Sequence, residues 1–188
     1  MTFSALLLAG GESRRMGRDK ATMEFGDRPL WERQLEVLRA LGPDKILVSA
    51  RMQPAWLPED VKLLLDDPPS RGPLSGLTKA LATLRTTHLI ALAVDMPFMT
   101  AGELIQLLEQ TREDRGVVPV VGNRAEPLAA IYPVEATADF QRALAGSDLS
   151  LQSVVRTLAA TKRITLWPVA SEAAHLYRSV NEPGDLRL

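Results

Sequence analysis

The sequence predicts an α/β protein in which helices cover both faces of a mostly parallel sheet. Apolar segments of strand length alternate with segments of helical periodicity along the 188 residues. At least four strand segments are apolar almost throughout, as expected for a sheet buried on both faces. The chain contains no internal repeat, low-complexity segment or clear linker, so a single domain over residues 1–188 is the simplest interpretation.

Each element is predicted from its own pattern. The first strand, 3–9, ends at a Gly-Gly pair, and the helix over 29–41 begins with a proline suited to a first turn. The helix over 73–85 opens at a Gly-Pro pair, and Thr100 is the predicted N-cap of the helix over 101–113. The remaining predicted strands are 45–50, 61–65, 88–94, 117–121, 128–132 and 163–169, and the remaining helices are 134–145 and 149–159.

The composition excludes several kinds of site. The chain has no cysteine and two histidines, and its 22 Lys plus Arg against 23 Asp plus Glu give a net charge of −1. Thiol nucleophiles, disulfides, iron–sulfur clusters and cysteine zinc sites are therefore excluded. Any metal would be held mainly by oxygen atoms, which favours Mg²⁺ or Mn²⁺. The balanced charge argues against a dedicated nucleic-acid-binding protein.

Membrane and export signals are also lacking in the sequence. No apolar run approaches the roughly 20 residues that a transmembrane helix needs. The first residues carry no positive segment ahead of their apolar stretch, which runs straight into two glycines. We therefore expect no signal peptide and a cytoplasmic protein.

The segment 10–20, which follows the first strand, combines glycines with charge. Between residues 12 and 20, four basic side chains against two acidic ones give a local charge of +2. The basic residues are Arg14, Arg15, Arg18 and Lys20, and the acidic residues are Glu12 and Asp19. Glycines let backbone N–H groups approach phosphate oxygens. The segment matches none of the G-x-x-x-x-G-K-[ST], G-x-G-x-x-G and G-x-S-x-G motifs, so a solvated basic loop remains the alternative interpretation.

Two aspartates come directly after predicted strands. Because the carboxyl ends of parallel strands meet at one edge of a sheet, we expect the segment 10–20, Asp66 and Asp95 to converge there. Asp95 is well positioned to hold Mg²⁺ between its carboxylate and substrate phosphates. An aspartate at this position could instead cap the next helix, but Thr100 is the better candidate for that cap.

Three further segments carry weaker signals. Residues 71–76 place a Gly-Pro pair at a helix start, which could expose backbone groups to a ligand or could simply form a tight turn. The segment 126–128 reads Glu-Pro-Leu, and Asn181 lies in the segment 180–186, where it could be a helix cap.

Together these segments resemble the molybdenum cofactor guanylyltransferase family, within the nucleotidyltransferase superfamily that includes sugar-nucleotide pyrophosphorylases. The matching segments run in the family's order over nearly the whole chain: 8–11, 14–17, 19–20, 72–76, 95–97, 126–128 and 181–183. The resemblance implies a Rossmann-like, three-layer αβα nucleotidyltransferase fold. It also implies transfer of GMP from GTP to molybdopterin, with or without bound molybdenum, giving molybdopterin guanine dinucleotide and pyrophosphate.

The resemblance further implies roles for the matching residues. The implied nucleotide contacts are Leu8, Ala9, Gly10, Gly11, Lys20, Asp66 and Asp95. The implied catalytic residues are Arg15, Lys20 and Asp95, with Asp95 holding Mg²⁺, for which Mn²⁺ could substitute. The implied substrate contacts on the pterin side are Glu126, Pro127 and Asn181. Implied partners are molybdenum-insertion proteins and recipient molybdoenzymes or their chaperones, with no nucleic acid or membrane.

Such a reaction requires no histidine or cysteine. A phosphate monoester is already ionised near neutral pH, so its attack on the α-phosphate needs positioning and charge neutralisation rather than a strong base. Arg15 and Lys20 would supply the positive charge.

One departure and three alternatives remain. The family often has asparagine after the second strand, where this chain reads Ser49-Ala50-Arg51. The alternatives are cytidylyl transfer to the same pterin, nucleotidyl transfer to a sugar phosphate, and a non-catalytic nucleotide-binding protein. The segments Leu-Ala-Gly-Gly and Gly-Pro-Leu-Ser-Gly are similar to those of the GTP-using type.

Overall fold

The strands and helices alternate in nearly the predicted order in a computed structural model that describes residues 1–10, 19–67 and 70–180. The strands are β1 (Phe3–Leu8), β2 (Glu24–Phe25), β3 (Arg28–Pro29), β4 (Ile46–Ala50), β5 (Lys62–Leu65), β6 (His88–Ala93), β7 (Gly116–Val121), β8 (Arg124–Ala125), β9 (Ala129–Pro133) and β10 (Ile164–Pro168). The helices are α1 (Leu30–Arg39), α2 (Pro73–Thr83), α3 (Ala101–Glu109), α4 (Thr137–Ala145) and α5 (Leu151–Ala160). Short 3₁₀ helices cover Lys20–Thr22, Val134–Ala136 and Ser171–Tyr177.

One large sheet organises the described residues. Its strand order is β10–β7–β9–β6–β1–β4–β5, and β8 pairs with β7 outside this path. The four strands β6, β1, β4 and β5 run parallel to one another, and β10 runs parallel to β7. Strand β9 lies antiparallel to both of its neighbours, β6 and β7. The prediction of a mostly parallel sheet is confirmed, with one reversed strand in its interior.

Apolar cores lie on both faces of this sheet. Along β1, Ala5 and Leu7 join a core with α1 and α3, whereas Leu6 and Leu8 join a second core with α2, α4 and α5. Successive strand residues point to opposite faces, so a strand that is apolar throughout contributes to both cores. The predicted three-layer αβα arrangement is confirmed.

Most predicted boundaries agree with the structure to within one or two residues. The helix over 101–113 is an exception, because α3 ends at Glu109 and the chain then turns through a bridge between Arg112 and Arg115. No apolar residue follows Leu108 in this segment, so a further helical turn would bury nothing. The prediction for 134–145 also needs a correction, because a 3₁₀ turn precedes α4.

The short elements were not predicted from the sequence. Strands β2 and β3 form a hairpin of two residues each, and β8 is equally short. Both turns use a glycine with positive φ, 70° at Gly26 and 62° at Gly122. Within the described ranges, no helix combines the length and the apolar character needed to cross a membrane. That the chain forms a single domain stays a prediction, since residues 181–188 are not described.

Candidate functional site

Lys20 and Asp95 meet at the edge of the sheet where β1 and β6 end. The Lys20 Nζ atom lies 2.8 Å from Asp95 Oδ2, and the two side chains are 17% and 25% exposed. The backbone fixes Asp95 from both sides, since Val94 N–H donates to the Leu8 carbonyl and Val180 N–H donates to the Asp95 carbonyl. Partial burial reduces screening by water, so this ion pair interacts more strongly than an exposed one.

The segment after Asp95 leaves its carboxylate available for a function other than capping. Thr100 Oγ1 accepts a hydrogen bond from Glu103 N–H at 3.2 Å, which confirms Thr100 as the N-cap of α3. Gln34, fully buried in α1, donates from Nε2 to the Met96 carbonyl at 2.5 Å. The segment carrying Asp95 is therefore held by two helices as well as by the sheet.

Asp66 lies at the same edge, directly after β5. Its Oδ1 accepts a hydrogen bond from Ser49 Oγ at 3.0 Å, and its Oδ2 accepts one from Ser70 Oγ at 2.8 Å. Asp66 is 9% exposed and Ser49 is 2% exposed. Gly10 is adjacent, because a Cβ atom built there would lie 3.5 Å from Asp66 Oδ2 and 3.4 Å from Ala50 Cα. The carboxylate is thus oriented by two hydroxyl groups beside the start of the glycine segment.

Glycines bring α2 against this part of the sheet. A Cβ atom on Gly76 would overlap Ser49 Oγ and would touch Leu8, so only glycine permits this approach. Gly72 adopts φ +67°, and Pro73 follows it as the first residue of α2, as the Gly-Pro pair predicts. Arg71 points elsewhere, since its Nη1 donates to the Leu144 carbonyl at the end of α4.

Glu126 and Pro127 approach the same edge from the start of β9. The Leu128 carbonyl accepts a hydrogen bond from Ala93 N–H at 2.8 Å, which ties this segment to the end of β6. Tyr132 donates to the Pro127 carbonyl at 2.7 Å. Burial raises the pKa of the half-buried Glu126 carboxyl, and the positive charge of Arg124 opposes that rise. The Glu126 carboxylate therefore lies at the site in a partly desolvated environment.

The structure brings together many of the predicted site residues. Leu8 is the last residue of β1, and Ala9 N–H donates to the Ser49 carbonyl at 2.9 Å. Lys20, Asp66, Asp95, Glu126 and Pro127 lie at the same edge of the sheet, as predicted for the two aspartates. The convergence predicted for the whole segment 10–20 stays a prediction, because residues 11–18 are not described. Gly11, Arg15 and Asn181, with the rest of 11–18 and 181–188, lie outside the described residues.

Three side chains support the site through contacts that were not predicted from the sequence. Ser49, which orients Asp66, is the one hydroxyl-bearing residue of β4, and a polar residue in an otherwise apolar strand could have drawn attention to it. Asp19 and Trp56 bond to each other across 37 residues of sequence, and no local pattern signals such a pair. At the position where the family often has asparagine, the Arg51 backbone nitrogen lies against Gly10.

The residues at this edge suit a divalent metal that arrives with phosphates. In the part of the chain that the structure describes, no three His, Cys, Asp or Glu side chains cluster as a metal site. Magnesium commonly uses one or two carboxylates and completes its octahedron with water and phosphate oxygens. The Asp95 carboxylate therefore fits Mg²⁺ bound together with a nucleotide.

Comparisons with known proteins find relatives that match most of the chain. A family model described as MobA-like NTP transferase domain matches residues 5–163. A probable molybdenum cofactor guanylyltransferase of Opitutus terrae is 34% identical over 95% of this chain and 90% of its own length. A molybdenum cofactor guanylyltransferase of Cereibacter sphaeroides is 35% identical over 79% of this chain and 78% of its own length.

Solved structures show the same fold. The molybdopterin-guanine dinucleotide biosynthesis protein A of Archaeoglobus fulgidus superposes with a TM-score of 0.73 at 20% identity, over 97% of this chain and 94% of that one. A nucleotidyl transferase of Methanothermobacter superposes with a TM-score of 0.74 at 13% identity, over 98% of this chain and 94% of that one.

Proposed function

The chain belongs to the MobA-like NTP transferase family, and from this premise we propose that it transfers GMP from GTP to molybdopterin. The products are molybdopterin guanine dinucleotide and pyrophosphate. The relatives named as guanylyltransferases support this substrate pair. The structural observation that supports the proposal is the Lys20–Asp95 pair, which places an ammonium group beside a carboxylate where β1 and β6 end.

The transfer exchanges one phosphorus–oxygen bond for another. A terminal phosphate oxygen of molybdopterin forms a bond to the α-phosphorus of GTP. The bond from that phosphorus to the oxygen bridging the α- and β-phosphates breaks, and pyrophosphate leaves with the electron pair. The attacking phosphate is already ionised near neutral pH, so positioning and charge neutralisation supply most of the catalysis.

Lys20 supplies positive charge at the triphosphate. Its ammonium group has three donors, so it can bind phosphate oxygens when nucleotide enters and still remain close to Asp95. Asp95 would hold Mg²⁺, or Mn²⁺ in its place, and the metal would neutralise charge on the phosphates. Arg15 is proposed as a second cation on the strength of its motif.

The nucleoside part of GTP, away from the triphosphate, is assigned to residues 8–11 and Asp66. Backbone groups of Leu8, Ala9, Gly10 and Gly11 would contact the nucleotide. Because two serines orient the Asp66 carboxylate, it can accept hydrogen bonds from N1–H and the 2-amino group of guanine. Cytosine lacks this adjacent pair of donors, so the same carboxylate would favour GTP over CTP.

The pterin substrate is assigned to the other side of Asp95. Glu126 and Pro127 lie on that side and would contact the pterin. Asn181, which lies outside the described residues, is assigned to the same contact from its motif. We further propose that the reaction takes place in the cytoplasm, between molybdenum-insertion proteins and recipient molybdoenzymes or their chaperones. The net charge of −1 supports the expectation that no nucleic acid takes part, and the shortness of the apolar runs supports the expectation that no membrane does.

The proposal is tested by incubating the purified protein with Mg²⁺ and each nucleoside triphosphate in turn, with molybdopterin, a sugar phosphate or no acceptor added. We expect pyrophosphate and the guanine dinucleotide only when GTP and molybdopterin are both present. Product from CTP would support cytidylyl transfer to the pterin. Pyrophosphate release only in the presence of a sugar phosphate would support nucleotidyl transfer to that acceptor. Binding of GTP without pyrophosphate release, with molybdopterin supplied, would support a non-catalytic nucleotide-binding protein.

A further inference from the structure

Trp56 joins the segment between β4 and β5 to the rest of the site. Its indole ring stacks on Trp31 of α1, with ring centroids 5.1 Å apart and 12° between the planes. Both rings are half-buried and pack against the core on the α1 face of the sheet. The Trp56 Nε1–H donates a hydrogen bond to Asp19 Oδ2 at 3.1 Å. Trp56 is therefore held in place by packing while its one donor points at Asp19.

Asp19 begins the 3₁₀ turn that carries Lys20. Its Oδ1 accepts a hydrogen bond from Ala21 N–H at 3.0 Å, and its backbone carbonyl accepts one from Thr22 Oγ1 at 2.8 Å. The two carboxylate oxygens thus have separate tasks, because one caps the turn and the other binds Trp56. Ala21 is fully buried, so the turn is anchored in the core just after Lys20 and by Trp56 just before it.

We propose that Trp56 is a positioning residue for Lys20, acting through Asp19. This inference rests on the proposed function, in which Lys20 neutralises charge on the triphosphate. A lysine side chain is long and flexible, so the direction of its backbone decides where the ammonium group can reach. Asp19 is itself exposed, and its hydrogen bond to a packed indole limits the movement of the turn. Small displacements of groups that contact phosphate reduce catalysis strongly.

The same segment also contacts the proposed base side of the nucleotide. A Cβ atom built on Gly10 would lie 3.6 Å from the backbone nitrogen of Arg51, at the start of the segment that contains Trp56. The segment therefore touches Gly10 at one point and Asp19 at another. One segment between β4 and β5 thus contacts the region of Asp66 through Arg51 and the region of Lys20 through Trp56.

The test compares Trp56→Phe with Trp31→Phe. The first variant keeps an aromatic ring for stacking and loses the N–H donor, whereas the second alters the stack and keeps the donor. We expect Trp56→Phe to lower kcat about tenfold, as loss of a hydrogen bond to a charged group would, with a smaller change in KM for GTP. We expect Trp31→Phe to retain kcat within about twofold, because the hydrogen bond that positions Asp19 survives.

Asp19→Asn provides an independent variant. Asparagine replaces one carboxylate oxygen with an NH2 donor, so Ala21 N–H and Trp56 Nε1–H no longer each have an acceptor oxygen in position. We expect its kcat to fall at least as far as that of Trp56→Phe. The double variant Asp19→Asn/Trp56→Phe should have a kcat no lower than that of Asp19→Asn alone, because both substitutions break the same hydrogen bond. If the double variant lost kcat by the product of the two single reductions, the proposal would be overturned. Wild-type kcat and KM in Trp56→Phe would overturn it as well.

A readout without turnover separates this inference from the proposed function. The rate at which acetic anhydride acetylates Lys20, followed by mass spectrometry of peptides, reports the surroundings of its ammonium group. We expect Trp56→Phe to change this rate and Trp31→Phe to leave it unchanged, whether or not GTP is the substrate. Equal rates in all three proteins would overturn the positioning role. Absence of any nucleotidyl transfer by the wild-type protein would instead contradict the proposed function.

Discussion

The Lys20 ammonium group and the Asp95 carboxylate lie 2.8 Å apart, although 75 residues separate them in the chain. Lys20 follows β1 and Asp95 follows β6, and these strands are parallel neighbours in the sheet. Before nucleotide binds, each charge compensates the other. In the proposed reaction, a triphosphate with its metal would offer each of them a stronger partner, phosphate oxygens for Lys20 and the cation for Asp95. The pair therefore holds a positive and a negative side chain together at the position where we propose that the ionic substrate binds.

Replacement of Asp95 should remove most of the activity and preserve the fold. An asparagine at this position would still offer an oxygen to Lys20, but a neutral amide is a poor ligand for Mg²⁺. In Asp95→Asn we expect kcat to fall by about 10²-fold or more at saturating Mg²⁺. The thermal unfolding midpoint should stay near that of the wild type. Asp67→Asn, at an exposed position next to Asp66, serves as the control. Wild-type rates in Asp95→Asn would contradict the assignment.

Replacement of Lys20 should act on turnover. If its ammonium group meets charge that develops in the transition state, Lys20→Ala loses about 10²- to 10³-fold in kcat. Lys62→Ala removes an exposed lysine on β5 and should leave the kinetics unchanged. Steady-state kinetics with varied GTP provide the measurement. An effect confined to KM would mean that Lys20 binds substrate and transition state equally.

Acid should destabilise the protein through His88. Burial lowers the pKa of this fully buried ring, and nearby carbonyl groups of Arg112 and Arg115 oppose the change. The unfolded chain takes up the proton near pH 6.5, whereas the folded protein resists it, so protonation favours unfolding. The free energy of unfolding should therefore fall as pH drops through about 6.5.

Urea unfolding of the wild type and of His88→Gln, measured between neutral and mildly acidic pH, checks this expectation. We expect His88→Gln to be less stable than the wild type at neutral pH. Because the glutamine side chain cannot titrate, its free energy of unfolding should fall less on acidification. Equal slopes in the two proteins would show that other groups cause the acid sensitivity.

Glu126→Gln should raise stability and impair use of the acceptor. Because burial raises the pKa of Glu126, the folded protein disfavours its charged form. The cost is absent below the ordinary glutamate pKa and is present in full once pH exceeds the folded value. We therefore expect a higher unfolding midpoint than the wild type at pH 7 and no gain near pH 4.

The same variant tests the assignment of the acceptor side. We expect KM for molybdopterin to rise several-fold and KM for GTP to remain unchanged. A change in KM for GTP alone would place Glu126 on the nucleotide side instead.

The sheet could be predicted because its strands carry their own signature. Segments such as β1 and β6 are apolar on both faces, which is expected only where helices cover the sheet on both sides. Given that sheet, the rule that strand ends share an edge brings Asp66, Asp95 and the segment before Lys20 together without further information. The end of α3 was misjudged because polar residues at helical spacing carry little information about where a helix stops.

The supporting contacts could not be predicted, for a physical reason. The pairs Ser49–Asp66 and Trp56–Asp19 join residues that are distant in sequence and depend on the exact spacing of strands and loops. Neither pair follows a period, and each residue alone is compatible with many surroundings. Two-residue strands such as β2 and β8 are also shorter than any pattern that alternation can establish.

The reversed strand β9 has a consequence for how such an enzyme can diversify. Residues at the ends of β1, β5 and β6 leave their strands at the site, whereas Glu126 and Pro127 lie on the chain as it enters β9. Groups assigned to the nucleotide and groups assigned to the acceptor therefore belong to different connections, on opposite sides of β6. Insertions or replacements before β9 could alter the accepted substrate while the strand ends assigned to the nucleotide stay as they are. Because β9 runs antiparallel to its neighbours, the residues assigned to the nucleotide and those assigned to the acceptor can change independently of each other.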